Sequence, residues 1–293
     1  MIFALVAASL VCGVVGFLSA RWVEPTRWTS VTFRSLFWVG APLTGIVATS
    51  TRLDATLLIG LAATWATMLA ALSAVLVATR RSDGPRRAET LLALCWPNSV
   101  WLGFPAVVVL LGWDALPLAI AFSQFCSGPF TMVIIPGTAA ALMHAEAPFR
   151  QRLRLFATNP YLHLVGAGML CAAVGLTAPR IAVSGAQWGL LASTIPAFAA
   201  VGGALASHRL SFDPGIARLV AGRLAILSIP LLALRTAMPI PAAFVVAAGM
   251  SVGMSSFQVA ATYRVPTARL ASALAVSTAC VLVVIAAAGA ARL

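Results

Sequence analysis

Two short stretches of this chain hold the residues best suited to chemistry. The first is Trp96-Pro97-Asn98-Ser99-Val100-Trp101-Leu102-Gly103-Phe104-Pro105, and the second is Gly249-Met250-Ser251-Val252-Gly253-Met254-Ser255-Ser256-Phe257-Gln258. Both lie inside apolar segments. Proline gives up a backbone donor and clashes one turn back, so Pro97, Gly103 and Pro105 predict a broken helix, with Asn98 and Ser99 placed to cap a second half-helix starting near Ser99. Glycine and serine only loosen a helix, so the second break is the weaker signal. Two half-helix N-termini meeting in this way carry partial positive charge, and they predict an anion site built without a buried Lys or Arg. Asn98 reads equally well as a substrate-contacting amide and as a cap. Pro97, Ser99, Trp101, Ser251 and Ser255 complete the candidate lining, although close helix packing is the commoner role for such serines. Gln124, beside Ser123 in the fifth segment, needs a hydrogen-bond partner at membrane depth and is a further candidate. Gln258 is read in the same way. His163 reads as an interfacial histidine rather than a proton relay.

Some chemistry is excluded by what the segments lack. Asp54, Asp83, Glu89, Asp114, Glu146, Asp213 and Glu24 all fall at helix ends or in loops. That argues against a proton antiporter built on a buried carboxylate pair, and against an intramembrane aspartyl protease. No zincin-type pair of histidines and no Ser/His pairing at helical spacing points to an enzyme. Cys12, Cys95, Cys126, Cys171 and Cys280 sit singly in apolar segments, so neither a disulfide framework nor a metal site is expected, and no cofactor is implied.

The elements that must position these residues follow from composition. Hydrophobic residues make up 61% of the chain and charged residues 9%, a balance that requires lipid rather than water around most of the surface. Ten apolar segments are predicted: 2–20, 33–50, 55–79, 88–112, 115–142, 159–177, 185–207, 215–235, 240–262 and 268–291. The broken stretches fall in the fourth and ninth. The basic residues, all arginine, do not form a nucleic-acid face. Of the 19, 15 lie after odd-numbered segments: Arg21, Arg27, Arg34, Arg80, Arg81, Arg86, Arg87, Arg150, Arg152, Arg154, Arg209, Arg218, Arg223, Arg264 and Arg269. Only Arg52, Arg180, Arg235 and Arg292 fall elsewhere. The positive-inside rule then puts both termini outside the cytoplasm of a multi-pass inner-membrane protein. Arg150, Arg152 and Arg154 read as topology-fixing charges, and Trp22, Trp28, Trp113 and Trp188 as an interfacial belt.

The expected fold is therefore an all-α integral membrane protein of about ten transmembrane helices in a single domain, 1–293. Pro42 and Pro97 are 55 positions apart, as are Pro196 and Ser251. Five segments per half is an odd number, so a repeat of 1–142 in 159–293 would run inverted, as in many secondary transporters.

These stretches also carry a resemblance. Pro97-Asn98-Ser99-Val100-Trp101-Leu102-Gly103-Phe104-Pro105, ending at Gly112, looks like the helix 4 signature of the auxin efflux carrier family. Asn159-Pro160-Tyr161, Pro179 and the run Thr194 to Leu205 are similar to its helix 6–7 pattern, and Ala260-Ala261-Thr262-Tyr263 with Leu270-Ala271-Ser272 and Ser277-Thr278 to its helix 9–10 junction. The sequence departs from the family in the ninth segment, where Ser251 replaces the usual proline and Ser255 a frequent asparagine. The resemblance implies helices 4 and 9 crossing at a substrate site, with Pro97 and Asn98 at the crossover. It also implies a permease that moves small organic anions such as carboxylates by alternating access, with a proton or sodium as the candidate coupling cation. Alternatives are a sodium-coupled carrier of larger amphipathic anions, of the bile-acid symporter type, and a non-transporting receptor or scaffold on the same fold. Substrate, direction, coupling ion and homo-oligomerisation stay open at this stage.

Overall fold

The structure is a computed structural model that describes residues 2–20, 25–145, 148–206, 208 and 210–290. Expectations for Arg21, Trp22, Glu24, Glu146, Arg209 and Arg292 fall outside the described residues. The chain is 78% helical, with no strand among the described residues. Among the described residues, five helices are long and apolar enough to cross a membrane: Ala55–Ala78, Trp113–Leu142, Arg180–Ala206, Pro214–Arg235 and Ala268–Ala288. The protein is thus a membrane-embedded helical bundle. Leu58, Val77, Leu170, Ile181, Val283 and Val284 are exposed on it, as helices bathed by acyl chains require.

In chain order the helices are α1 Ile2–Ser19, α2 Pro25–Ala48, α3 Ala55–Ala78, α4 Gly84–Cys95, α5 Gly103–Leu111, α6 Leu116–Phe122, α7 Ile135–Leu142, α8 Phe149–Ala157, α9 Pro160–Ala173 and α10 Arg180–Ala192. The remainder are α11 Thr194–Ala206, α12 Pro214–Ile226, α13 Ser228–Arg235, α14 Ala242–Ala248, α15 Ser256–Thr262 and α16 Ala268–Ala290. Local chemistry sets many of these ends. Asp54 caps α3 by accepting from Leu57 N at 2.9 Å. Asp213 caps α12 through Gly215 N and Ile216 N, and Asn159 caps α9 through Tyr161 N. Pro214 and Pro160 follow as first helical residues, where a missing N–H costs nothing.

Prolines also divide helices. Pro196 has no N–H for the carbonyl of Ala192, where α10 ends, and Pro230 has none for Ile226, where α12 ends. Nearby carbonyls are taken by hydroxyls instead: Ser193 Oγ donates to Leu190 O at 2.6 Å and Thr194 Oγ1 to Leu191 O at 2.7 Å. Between α6 and α7 the chain stays helical but widens into two π turns, Ser123–Ser127 and Phe130–Ile134, on either side of Gly128-Pro129. α8 is an amphipathic helix outside every predicted segment, with Phe149, Leu153 and Leu155 exposed.

The helices pack as two groups. α1 lies along α11, and α2 along α9, α10 and α11. These contacts are close because glycine lets backbones touch. A Cβ on Gly202 would fall 1.8 Å from Gly13 O, one on Gly16 2.0 Å from Ala199 O, and one on Gly168 2.3 Å from Gly45 O. The second group joins α3, α4, α5, α6, α7, α12, α13, α14 and α16. Its core includes Phe104, Phe122 and Phe244, with the rings of Phe122 and Phe244 5.6 Å apart.

Candidate functional site

The two interrupted segments meet. Between α4 and α5, and between α14 and α15, the chain runs extended, and the two stretches pair antiparallel about Pro97 and Val252. Asn98 N donates to Ser251 O at 2.9 Å, and Gly253 N donates to Trp96 O at 2.7 Å. Pro97 sits between these two bonds, so its missing donor costs the pairing nothing. Opposite it, Val252 N is satisfied sideways by Ser277 Oγ of α16 at 3.1 Å. Gly253 is required here by space, because a Cβ would lie 2.2 Å from Trp96 Cδ1.

The half-helices entering the crossover end on carbonyls, which carry partial negative charge. One residue satisfies three of them. Arg223, on α12 and fully buried, donates from Nε to Met250 O at 3.0 Å, from Nη1 to Leu94 O at 2.5 Å and from Nη2 to Ala248 O. This corrects the sequence reading, which counted Arg223 with the loop arginines and expected no cation at this depth. A buried guanidinium is tolerated because its donors meet acceptors at two helix C-termini.

The half-helices leaving the crossover also differ from expectation. α5 begins at Gly103, not near Ser99, and neither Asn98 nor Ser99 caps it with a side chain. Asn98 contributes its carbonyl instead, which accepts from Gly103 N at 3.0 Å, while Phe104 N goes to Val100 O at 3.2 Å. At α15, Ser256, Phe257 and Gln258 donate to the carbonyls of Gly253, Met254 and Ser255. The donors expected to hold an anion at both N-termini are thus engaged by the chain itself.

Beside the crossover lies a cavity of about 530 Å³, within the range of small-molecule sites. Pro97, Asn98, Ser99, Trp101, Gln124 and Ser255 all line it, so the structure brings together six of the seven candidate residues. Ser251 is the exception. It is fully buried and turned toward α16, where Thr278 Oγ1 donates to its Oγ at 3.2 Å. The first π turn brings Ser123, Gln124 and Ser127 to the cavity, and Thr131 follows from the second. Gln124 Nε2 donates to Ser123 Oγ at 3.4 Å, and Ser99 Oγ to Ser127 Oγ at 3.2 Å. Gln258 lines the wall; His163 is exposed on α9 and does not.

The lining continues to α8, through Arg152 and Leu155, and to Thr262 and Tyr263 at the end of α15. Sequence reasoning assigned Arg152 to topology, with an anionic-lipid contact as the alternative. Arg152 stands two residues from Arg150 and two from Arg154, and on a helix that spacing turns it to another face. That signal required knowing that 149–157 is helical. No protein-family model matches the chain, and no curated protein matches it in sequence.

Proposed function

We propose that the chain is a secondary active transporter of small organic anions in the inner membrane. The observation that carries this reading is the crossing of two interrupted apolar segments through backbone hydrogen bonds beside a solute-sized cavity. Irregular backbone at membrane depth is tolerated where protein or a cavity satisfies it, and broken helices of this kind form the central sites of many carriers. The resemblance to the auxin efflux carrier family, carried by Pro97 to Pro105, agrees with it.

We read α1, α2, α9 and the pairs α4–α5 and α14–α15 as five further spans, ten in all, arranged as an inverted repeat. The packing supports that arrangement. Under a five-segment repeat, the first segment exchanges with the sixth and the second with the seventh. The glycine-mediated pair α1 with α11 then exchanges with the glycine-mediated pair α9 with α2. The two packing groups supply the bodies that would rock against each other in alternating access. With the arginine-rich side cytoplasmic and both termini outside, a cavity reaching α8 is the inward-facing one.

The test is counterflow into proteoliposomes holding the purified full-length protein, preloaded with one unlabelled carboxylate at a time and offered the labelled form. Accumulation above protein-free liposomes, for at least one small carboxylate, is the expected result. Uptake confined to large amphipathic acids in a sodium gradient would instead favour the bile-acid symporter type of carrier. No movement of any carboxylate under proton or sodium gradients would leave the non-transporting role.

A further inference from the structure

We propose that Arg152 is the residue that reads the solute's charge, and that the cavity takes an organic acid bearing a single negative charge. The inference rests on the anion-carrier reading above and deepens it. Among the described residues lining the cavity, Arg152 alone is charged, and no carboxylate faces it. Its Nε and Nη1 are shut off from solvent and have no hydrogen-bond partner among the described residues. Those two nitrogens do not open into the cavity, so the contact with a solute falls to the rest of the guanidinium, Nη2 included, by which Arg152 lines it. The guanidinium is also held in place. It lies against α7 at Gly137, where a Cβ would fall 2.8 Å from Nη2 and 3.0 Å from Cζ.

The contrast within α8 supports the assignment. Arg150 and Arg154 are exposed and do not line the cavity. The remaining polar groups of the wall, among them Asn98, Gln124 and Ser255, are neutral. A carboxylate or similar oxyanion in the cavity can therefore pair with the charge of Arg152. A second negative charge on the same solute would find no further cation among the described lining residues. Trp101, Met254 and Tyr263 offer the rest of the molecule an apolar and aromatic surface.

The test uses detergent-purified full-length protein and reads the shift of the melting midpoint against concentration for benzoate, octanoate, phthalate and benzamide. Benzoate or octanoate is expected to stabilise the wild-type protein, with phthalate and benzamide at least tenfold weaker. Arg152→Gln should weaken the monocarboxylate by roughly 10- to 100-fold, the size of a lost charge-assisted hydrogen bond. Arg152→Lys should lose less, and Arg150→Gln should bind as the wild type does. Gly137→Ala, which keeps the charge but crowds the guanidinium, should fall between Arg152→Gln and wild type. Equal monocarboxylate binding by wild type and Arg152→Gln would overturn the role of Arg152 and leave the anion-carrier reading standing. Tighter binding of phthalate than of benzoate would overturn the single-charge preference. Failure of both monocarboxylates to bind the wild-type protein would overturn this proposal and the anion reading together.

Discussion

Two arginines bracket the crossover and its cavity, Arg223 fully buried and Arg152 half-buried, and they differ in how their donors are met. Arg223, beneath the crossover, spends its donors on Met250, Leu94 and Ala248 carbonyls. Arg152, at the α8 end of the cavity, has two nitrogens enclosed without a partner among the described residues. A buried cation whose donors are met by the fold is part of the fold. One whose donors the fold leaves unmet carries an unfavourable term, and its charge, at the cavity wall, is left for a solute to neutralise. Stability should therefore follow Arg223, and binding should follow Arg152.

The largest effect is expected where that distinction is broken. Arg223→Met leaves three buried carbonyls without donors, each costing about 1–3 kcal/mol, so unfolding should become easier by about 3–5 kcal/mol or more. Denaturant unfolding of the purified protein measures this, and wild-type stability in Arg223→Met would remove Arg223 from the account. Next is Gly253→Ala. Its Cβ would meet Trp96 at 2.2 Å, so overpacking should cost about 1–3 kcal/mol and separate the paired stretches. A smaller loss, about 1 kcal/mol, is expected for Glu89→Gln. Glu89 accepts from Arg269 N at 3.2 Å at the start of α16 and pairs with the partly exposed Arg269 guanidinium at 3.7 Å. Asn98→Ala should barely change the melting midpoint, because Asn98 holds the crossover through its backbone N and O. It should still weaken carboxylate binding about tenfold if the side chain contacts solute. A clear fall in the ligand-free midpoint of Asn98→Ala would instead assign its amide a structural role.

The sequence carried the elements well where its signals were local. Each of the ten apolar segments contains helix, and the break at Pro97 is seen in the structure because proline removes a donor regardless of what surrounds it. The weaker glycine and serine signal at Gly249 to Ser256 also marks a break, and here the partner decides. Gly253 is needed because Trp96 lies against it, a neighbour 157 positions away in sequence. The cap at Asn98 was misread because the chain turns for several residues before α5 begins, and its carbonyl does the capping. Arg223 was misread because charge-counting grouped it with the loop after the seventh segment although it lies within 215–235, and only the packed carbonyl ends of α4 and α14 show what it serves. Arg152 was hidden for the opposite reason. Its flanking arginines suggest a solvated run, and its orientation depends on α8, whose helix lies outside every apolar segment.

The most direct measurement is the melting midpoint of Arg152→Gln without ligand, set beside that of Arg223→Met. If unmet donors mark a binding group, Arg152→Gln should melt at or above the wild-type midpoint while Arg223→Met falls well below it. A fall in Arg152→Gln as large as that in Arg223→Met would make both arginines structural and contradict the division between them.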